Sequence, residues 1–85
     1  MSEALSTPDR VRSIVATVLS VPLDAVTPES SPDTLVEWTS LRHLVLALEF
    51  EQEFDISLSP EDMEQLTSVS AIADLVTRRQ HADVT

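Results

Sequence analysis

The sequence predicts an all-α chain of four helices, with a long loop after the first helix and a short third helix. Apolar residues recur at helical spacing in three separate stretches. Two sequences of serine or threonine, proline and acid mark helix starts. Residues 21–39, which lie between these starts, hold three prolines and many Ser, Thr and Asp residues, as loops often do. We expect one small domain over residues 1–85, with residues 1–6 and 80–85 as loose ends.

The first helix is predicted to begin with Thr7 as its cap, because Pro8 and Asp9 suit the first helical turn. Pro22 cannot continue a helix, so this one should end near Ser20. Its apolar residues recur on one face and predict a core stripe, made of Val11, Ile14, Val15, Val18 and Leu19.

Residues 21–39 are predicted to form a long loop that the core holds at intervals. Ser31-Pro32-Asp33 could begin a single helical turn within it. Trp38 should fix the chain where the loop gives way to the second helix. The expected core anchors are Val26, Leu35, Val36 and Trp38.

The second helix, over residues 41–54, is apolar around more of its circumference than one core contact needs. One flank should enter the core and consists of Leu46, Ala47, Phe50 and Phe54. The acids that follow Leu48 argue against burial of the whole helix. The other flank is therefore predicted to be a docking surface and consists of Leu41, Leu44, Val45 and Leu48.

Two further helices complete the chain. Ser59 should cap a short helix from Pro60 to Gln65, with Met63 and Leu66 as its apolar contacts. Either Thr67 or Ser68 should cap the last helix, whose final turn would hold Arg78 and Arg79. The apolar stripe of this last helix is predicted to be Val69, Ile72, Ala73, Leu75 and Val76.

The charge of the chain limits its partners. Fifteen acidic against five basic residues give a formal net charge of −10, and none of the five is lysine. Such a surface repels nucleic acid and anionic lipid and favours proteins with basic patches. Seven of the acids lie between Glu49 and Glu64, which concentrates the negative field around the second and third helices.

Several site chemistries are disfavoured by composition. The chain has no cysteine, so thiol chemistry would need a cofactor, and two histidines without cysteine argue against a metal site. No apolar run is long enough to cross a membrane. The first residues lack a basic and apolar signal sequence, so we expect a cytoplasmic protein. Met1 and the loose ends predict a separate protein and not a domain excised from a larger one.

Thr39-Ser40-Leu41, followed by a helix that ends in Leu48-Glu49-Phe50-Glu51-Gln52-Glu53-Phe54, resembles the acyl carrier protein family. The usual signature of that family is Asp-Ser-Leu, so Thr39 stands in place of the aspartate. Leu66-Thr67-Ser68-Val69 also resembles the family's approach to its last helix. The resemblance implies a small four-helix bundle, in which Ser40 carries 4'-phosphopantetheine from coenzyme A. It also implies that the missing aspartate normally helps the phosphopantetheinyl transferase and its metal.

The physical chemistry of a helix start suits this role. Serine is a favoured N-cap, so Ser40 is expected to cap the second helix before modification. The first backbone N–H groups and the positive end of the helix dipole would then stabilise a phosphate on its oxygen.

Our first hypothesis is a monomeric acyl carrier without catalytic activity, in fatty-acid, polyketide or specialised lipid synthesis. Peptidyl carriers usually have glycines just before the modified serine, so the resemblance implies an acyl cargo and not an aminoacyl one for this glycine-free chain. Its partners would be the transferase and acyl-transferring or acyl-modifying enzymes with basic patches. Apolar docking is assigned to Leu41, Leu44, Leu48 and Met63, and acidic docking to Glu49, Glu51, Glu53 and Glu61.

Two other hypotheses compete. The first is a helical interaction module that kept the fold without the cofactor, which Thr39 favours. The second is a small hydrolase that uses Ser40 with His43. No glycine-rich strand-to-helix turn surrounds that serine, and a chain of this size leaves little room for a substrate pocket.

Overall fold

The computed structural model describes residues 6–82, with side chains described up to residue 80. Four α-helices follow one another along the chain: α1 (Thr7–Leu19), α2 (Ser40–Phe54), α3 (Pro60–Glu64) and α4 (Val69–Ala82). A single 3-10 turn, Leu23–Ala25, lies in the loop between α1 and α2. No strand occurs in these residues. The prediction of an all-α fold with a long first loop and a short third helix is confirmed.

The start of α1 differs by one residue from the prediction. Ser6, not Thr7, is the N-cap, because its backbone is extended and its Oγ accepts a hydrogen bond from the Asp9 N–H at 3.3 Å. Pro8 then occupies the second helical position, where its missing N–H leaves no helical hydrogen bond unmade. Ser6 is therefore part of the helix start and not of a loose end.

Both long helices before α3 end without glycine. Ser20 after α1 and Asp55 after α2 adopt left-handed backbone angles, with φ of 58° and 55°. Glycine is the usual residue at such helix ends because its missing Cβ removes the steric cost. Ser20 returns its N–H to the Ala16 and Thr17 carbonyls, and Asp55 returns its N–H to the Glu51 carbonyl. These bonds stop each helix at the predicted place.

One hydrophobic core joins the helices. α1 packs against α2 and α4, and α2 also contacts α4. The inner flank of α2 is buried as predicted, since Leu46, Ala47, Phe50 and Phe54 are all inside. In α1 the stripe is buried along its centre, while Ile14 and Val18 lie half-buried at its edge. The predicted stripe of α4 is buried in full and consists of Val69, Ile72, Ala73, Leu75 and Val76.

The long loop is held by both apolar and polar contacts. Val26 and Trp38 are buried, and Leu35 packs on the core edge. The prediction for Val36 is wrong, because its side chain is 89% exposed. Val36 and Glu37 lie at the centre of a turn that the Trp38 N–H closes on the Leu35 carbonyl at 3.0 Å, and this turn leaves Val36 outside while Leu35 packs on the core. The Arg12 guanidinium also donates to loop carbonyls, including that of Leu23 at 3.1 Å.

The same loop supports the start of α4. The Val69 N–H donates to the Ser30 carbonyl, and the Ser70 N–H donates to the Pro28 carbonyl, both at 3.0 Å. Ser68 is the cap of α4, since its Oγ accepts a hydrogen bond from the Ala71 N–H at 3.1 Å. A loop that satisfies helix N–H groups in this way is fixed in place without secondary structure of its own.

Asp62 links α3 to α4. Its carboxylate closes a capping box with Ser59 and is only 3% exposed. The prediction that Asp62 contributes to an exposed acidic cluster is therefore wrong. The Arg79 Nε donates to it at 3.0 Å.

α4 continues to Ala82, beyond the predicted end, so Gln80 is not loose and Arg78 lies before the final turn. The rest of the predicted loose ends, residues 1–5 and 83–85, lies outside the described residues.

These contacts predict a pH dependence of stability. The hydrogen bond from Arg79, and next that from the Ser59 N–H, lower the pKa of the Asp62 carboxyl. A carboxyl whose pKa is lower in the folded state stabilises the fold above its unfolded pKa of about 3.9. That stability is lost as the pH falls through the folded pKa.

We therefore expect the free energy of unfolding, measured by urea titration, to fall more steeply below about pH 4 in the native chain than in Asp62→Asn. Glu64→Gln, which removes an exposed carboxyl from the same helix, should keep the native slope. Equal slopes for the native chain and Asp62→Asn would contradict this role of Asp62.

Candidate functional site

Ser40 is the first residue of α2, and its side chain is exposed. The expectation that Ser40 caps the helix is wrong, because Thr39 is the N-cap. Thr39 has the extended backbone of a cap, and its Oγ1 accepts a hydrogen bond from the Arg42 N–H at 3.2 Å. Its carbonyl accepts the His43 N–H at 2.8 Å. Thr39 thus secures the helix start without using the Ser40 hydroxyl.

The Ser40 Oγ makes no hydrogen bond with any residue in the described part of the chain. It lies where the backbone N–H groups of Ser40 and Leu41 have no helical acceptor. A phosphate attached to this oxygen would meet these donors and the positive end of the helix dipole. The interaction is typically worth about 0.3–1 kcal/mol at an exposed site.

Trp38 fixes the chain just before this site. Its ring is buried, and its Nε1–H donates to the His43 Nδ1 at 3.0 Å. The His43 Nε2 lies 3.4 Å from the Met63 carbonyl oxygen. Since Nδ1 accepts, the neutral ring carries its proton on Nε2 and can donate toward Met63. The pair therefore connects the loop, α2 and α3 around the first turn of α2.

This arrangement removes support for the hydrolase hypothesis. A general base for Ser40 would need a free ring nitrogen within hydrogen-bond reach of its hydroxyl. Both ring nitrogens of His43 instead face Trp38 and Met63, and neither is bonded to Ser40. His43 is a half-buried residue of α2. Only the tertiary pairing with Trp38 reveals its positioning role.

Arg42 ties the same turn to α1. Its Nη1 donates to the Leu19 carbonyl oxygen at 2.9 Å, at the C-terminal end of that helix. A cation at a helix C-terminus also interacts favourably with the helix dipole. Ser40 thus lies on a helical turn that is held in position by contacts with α1, α3 and the loop.

The outer flank of α2 is exposed, as the sequence predicts. Leu41, Leu44, Val45 and Leu48 are 71%, 52%, 38% and 59% exposed. Their spacing of three, four and seven residues from Leu41 places them in one stripe on successive turns. We call this stripe the apolar face. It begins at the residue after Ser40.

The acids expected to assist docking have different positions. Glu49 and Glu61 are exposed. The Glu51 carboxylate accepts the Leu58 N–H at 2.8 Å, which supports the connection to α3. Glu53 pairs with Arg10 of α1 at 2.6 Å, and that guanidinium also lies 4.5 Å from the centre of the Phe54 ring.

Met63 is half-buried against the core, which accords better with a core contact than with docking. Of the predicted docking residues, Leu41, Leu44 and Leu48 share one helix face next to Ser40. The described residues include no cluster of His, Asp and Glu side chains that could hold a metal ion. Among the helices of residues 6–82, none is both long and apolar enough to cross a membrane.

Three comparisons with known proteins agree with this geometry. The family model described as "Phosphopantetheine attachment site" matches residues 9–76. An acyl carrier protein from Picosynechococcus sp. (strain ATCC 27264 / PCC 7002 / PR-6) is 29% identical over 75 residues, which cover 88% of this chain and 93% of the relative. The solution structure of holo acyl carrier protein from Geobacter metallireducens superposes with a TM-score of 0.82 and 25% identity. That match covers 94% of this chain and 92% of the other.

Proposed function

The chain belongs to the acyl carrier protein family, and on that premise we propose that Ser40 is the residue to which its cofactor is attached. Members of this family are carriers and not catalysts, and their cofactor is covalently bound 4'-phosphopantetheine. The observation that carries the proposal is the exposed Ser40 hydroxyl, which has no hydrogen-bond partner in the described chain because Thr39 caps the helix.

Thr39 is compatible with this role. Threonine and aspartate both cap helices through a side-chain oxygen, so the helix start that presents Ser40 is preserved. What Thr39 lacks is the negative charge of aspartate beside the serine. We therefore propose that Thr39 changes how readily a given transferase modifies the site, and not whether Ser40 is presented.

The chemistry of the loaded carrier would come from the cofactor. The chain has no cysteine, so the terminal thiol of phosphopantetheine would be its only thiol. An acyl group joined to that thiol as a thioester can be passed between enzymes. The chain itself would supply the attachment oxygen, the donors of the helix start and the surface that partner enzymes recognise.

The cargo that we propose is an acyl group in fatty-acid, polyketide or specialised lipid synthesis. The absence of glycine supports this over an aminoacyl cargo. The proposed partners are a phosphopantetheinyl transferase and enzymes that load, modify or transfer acyl groups. Cytoplasmic location, a monomeric state and a single domain over residues 1–85 remain predictions from the sequence.

The lack of cysteine makes the proposal directly measurable. Incubation of the unmodified chain with coenzyme A and a broad-specificity phosphopantetheinyl transferase should introduce one reactive thiol per chain, counted with a chromogenic disulfide reagent after removal of coenzyme A. An acyl-coenzyme A donor should instead give a blocked thiol that hydroxylamine releases, as expected of a thioester.

Ser40→Ala is the control, and it should gain no thiol. Failure of both the native chain and Thr39→Asp to gain a thiol would contradict the carrier proposal. That result would favour the interaction module, for which the threonine at position 39 is the supporting observation.

A further inference from the structure

The surface beside Ser40 is nonpolar. The described residues include six large exposed hydrophobic side chains, and four of them form the apolar face. Scattered exposed hydrophobic residues are ordinary in proteins, but a contiguous row usually marks an interaction surface. A fifth, Val36, is exposed in the loop that leads to Ser40. Leu23, in the loop after α1, is the sixth and stands apart in sequence from the others.

The same part of α2 has no carboxylate. Residues 40–48 read Ser-Leu-Arg-His-Leu-Val-Leu-Ala-Leu, so the first acid of the helix is Glu49. The only fixed charge in these nine residues is Arg42, whose guanidinium is engaged by the Leu19 carbonyl of α1. The apolar face is therefore not interrupted by a charged side chain of its own helix.

Three of the seven acids from Glu49 to Glu64 have partners within the molecule. Glu51 holds the Leu58 N–H, Glu53 is paired with Arg10, and Asp62 is buried against Arg79. At about 100° per residue, Glu53 lies about 140° around the helix from Leu48, on the side of α1. These three acids are therefore already engaged by this chain, while Glu49, Asp55, Glu61 and Glu64 stay exposed outside the apolar face.

The position of Ser40 identifies the occupant of this face. An enzyme that acts at the Ser40 oxygen must bring its active site to the start of α2, and its surface then continues over Leu41 and the next turns. An apolar surface is matched by a nonpolar surface and not by a row of cations, which would lose hydration without gaining partners. The exposed acids Glu49 and Glu61 remain for contacts at the rim.

We propose that the enzymes acting at Ser40 hold this chain through a nonpolar cleft that covers the apolar face, with ion pairs in a minor role. The inference rests on the proposed function. It differs from the expectation that the acids Glu49, Glu51, Glu53 and Glu61 carry most of the docking. The net charge of −10 then acts on the rate of encounter and not on the contact itself.

The test measures the KM of this chain as a substrate of a phosphopantetheinyl transferase at about 0.1 M and about 0.5 M NaCl. At 0.1 M, steering between exposed charges is already screened beyond roughly 10 Å, so the remaining salt dependence reports ion pairs in the contact. We expect KM to change by less than about twofold between these salt concentrations. If ion pairs carried the contact, KM would rise by about tenfold or more between the two salt concentrations.

Two substitutions separate the contributions at fixed salt. Leu44→Glu removes apolar contact and places a charge in the cleft, so KM should rise by at least about tenfold. Glu49→Gln should change KM by less than about twofold, as expected for a charge at the rim. Leu23→Glu is the matched control, because it makes the same change at an exposed leucine away from the apolar face, and it should leave KM unchanged.

Each alternative outcome has a distinct meaning. A KM that rises strongly with salt would overturn the nonpolar cleft, and so would a KM that rises in Glu49→Gln but not in Leu44→Glu. In both cases Ser40 would still be modified, so the carrier function would stand. No modification of the native chain or of Thr39→Asp would overturn the proposed function, and the cleft with it.

Discussion

Ser40→Ala should abolish cofactor attachment and leave the stability of the fold nearly unchanged. The reaction has no other oxygen to use at the start of α2 except that of Thr39, which is engaged in capping. Because Ser40 is not the cap and its side chain is exposed, its replacement should change the free energy of unfolding by no more than about 0.5 kcal/mol. The mass after incubation with coenzyme A and transferase, and a urea titration, measure the two properties.

Thr39→Ala is the matched variant, since it removes the neighbouring hydroxyl. It should cost about 1 kcal/mol of stability, because the Arg42 N–H loses its acceptor. Ser40 would still be modified, because its own oxygen and its exposure are retained. The reverse pattern, with a stability loss in Ser40→Ala and none in Thr39→Ala, would contradict the assignment of cap and attachment residue.

Phe50→Ala should have the largest effect on the fold. Phe50 is fully buried on the inner flank of α2, so its replacement leaves a cavity in the shared core. Such a change typically costs about 3–5 kcal/mol. Small domains are stable by only about 5–15 kcal/mol, so thermal unfolding followed by circular dichroism should show a much lower midpoint or a chain unfolded at room temperature.

Leu48→Ala is the control for Phe50, two positions away on the same helix. Its side chain is 59% exposed, so we expect the free energy of unfolding to stay within about 0.5 kcal/mol of the native value. Similar losses in both variants would mean that α2 is not divided into a core flank and an exposed apolar face.

The helices and the core were predictable from the sequence because their signal is local. In α2, the period of the apolar residues separates Phe50 and Phe54 inside from Leu41 and Leu48 outside. Proline after serine or threonine marks the starts of α1 and α3, since proline tolerates the first helical turn. These features depend on residues within a few positions of one another.

Cap positions were predicted one residue too late at two helix starts. Ser6 and Thr7, and likewise Thr39 and Ser40, are adjacent pairs in which either member can cap. Composition cannot choose between them, because the choice depends on which residue has the extended backbone. At the second pair the difference concerns function, since the residue that does not cap keeps its hydroxyl free for chemistry.

Contacts between distant residues could not be predicted from pattern alone. Asp62 looked like one acid of an exposed cluster, yet it is buried against Arg79, 17 residues further along the chain. Val36 looked like a core anchor, but the core edge is already occupied by Leu35. Each of these outcomes depends on how the loop and α3 pack on the other helices.

Locating the added group within the chain tests the central claim most directly. The native chain, incubated with coenzyme A and transferase, would be digested and its peptides fragmented in a mass spectrometer. The chain has eleven serines, so a gain in total mass does not by itself identify the residue. We expect the whole phosphopantetheine mass on Ser40, with the other ten serines unmodified. Phosphopantetheine on any other residue would contradict the account.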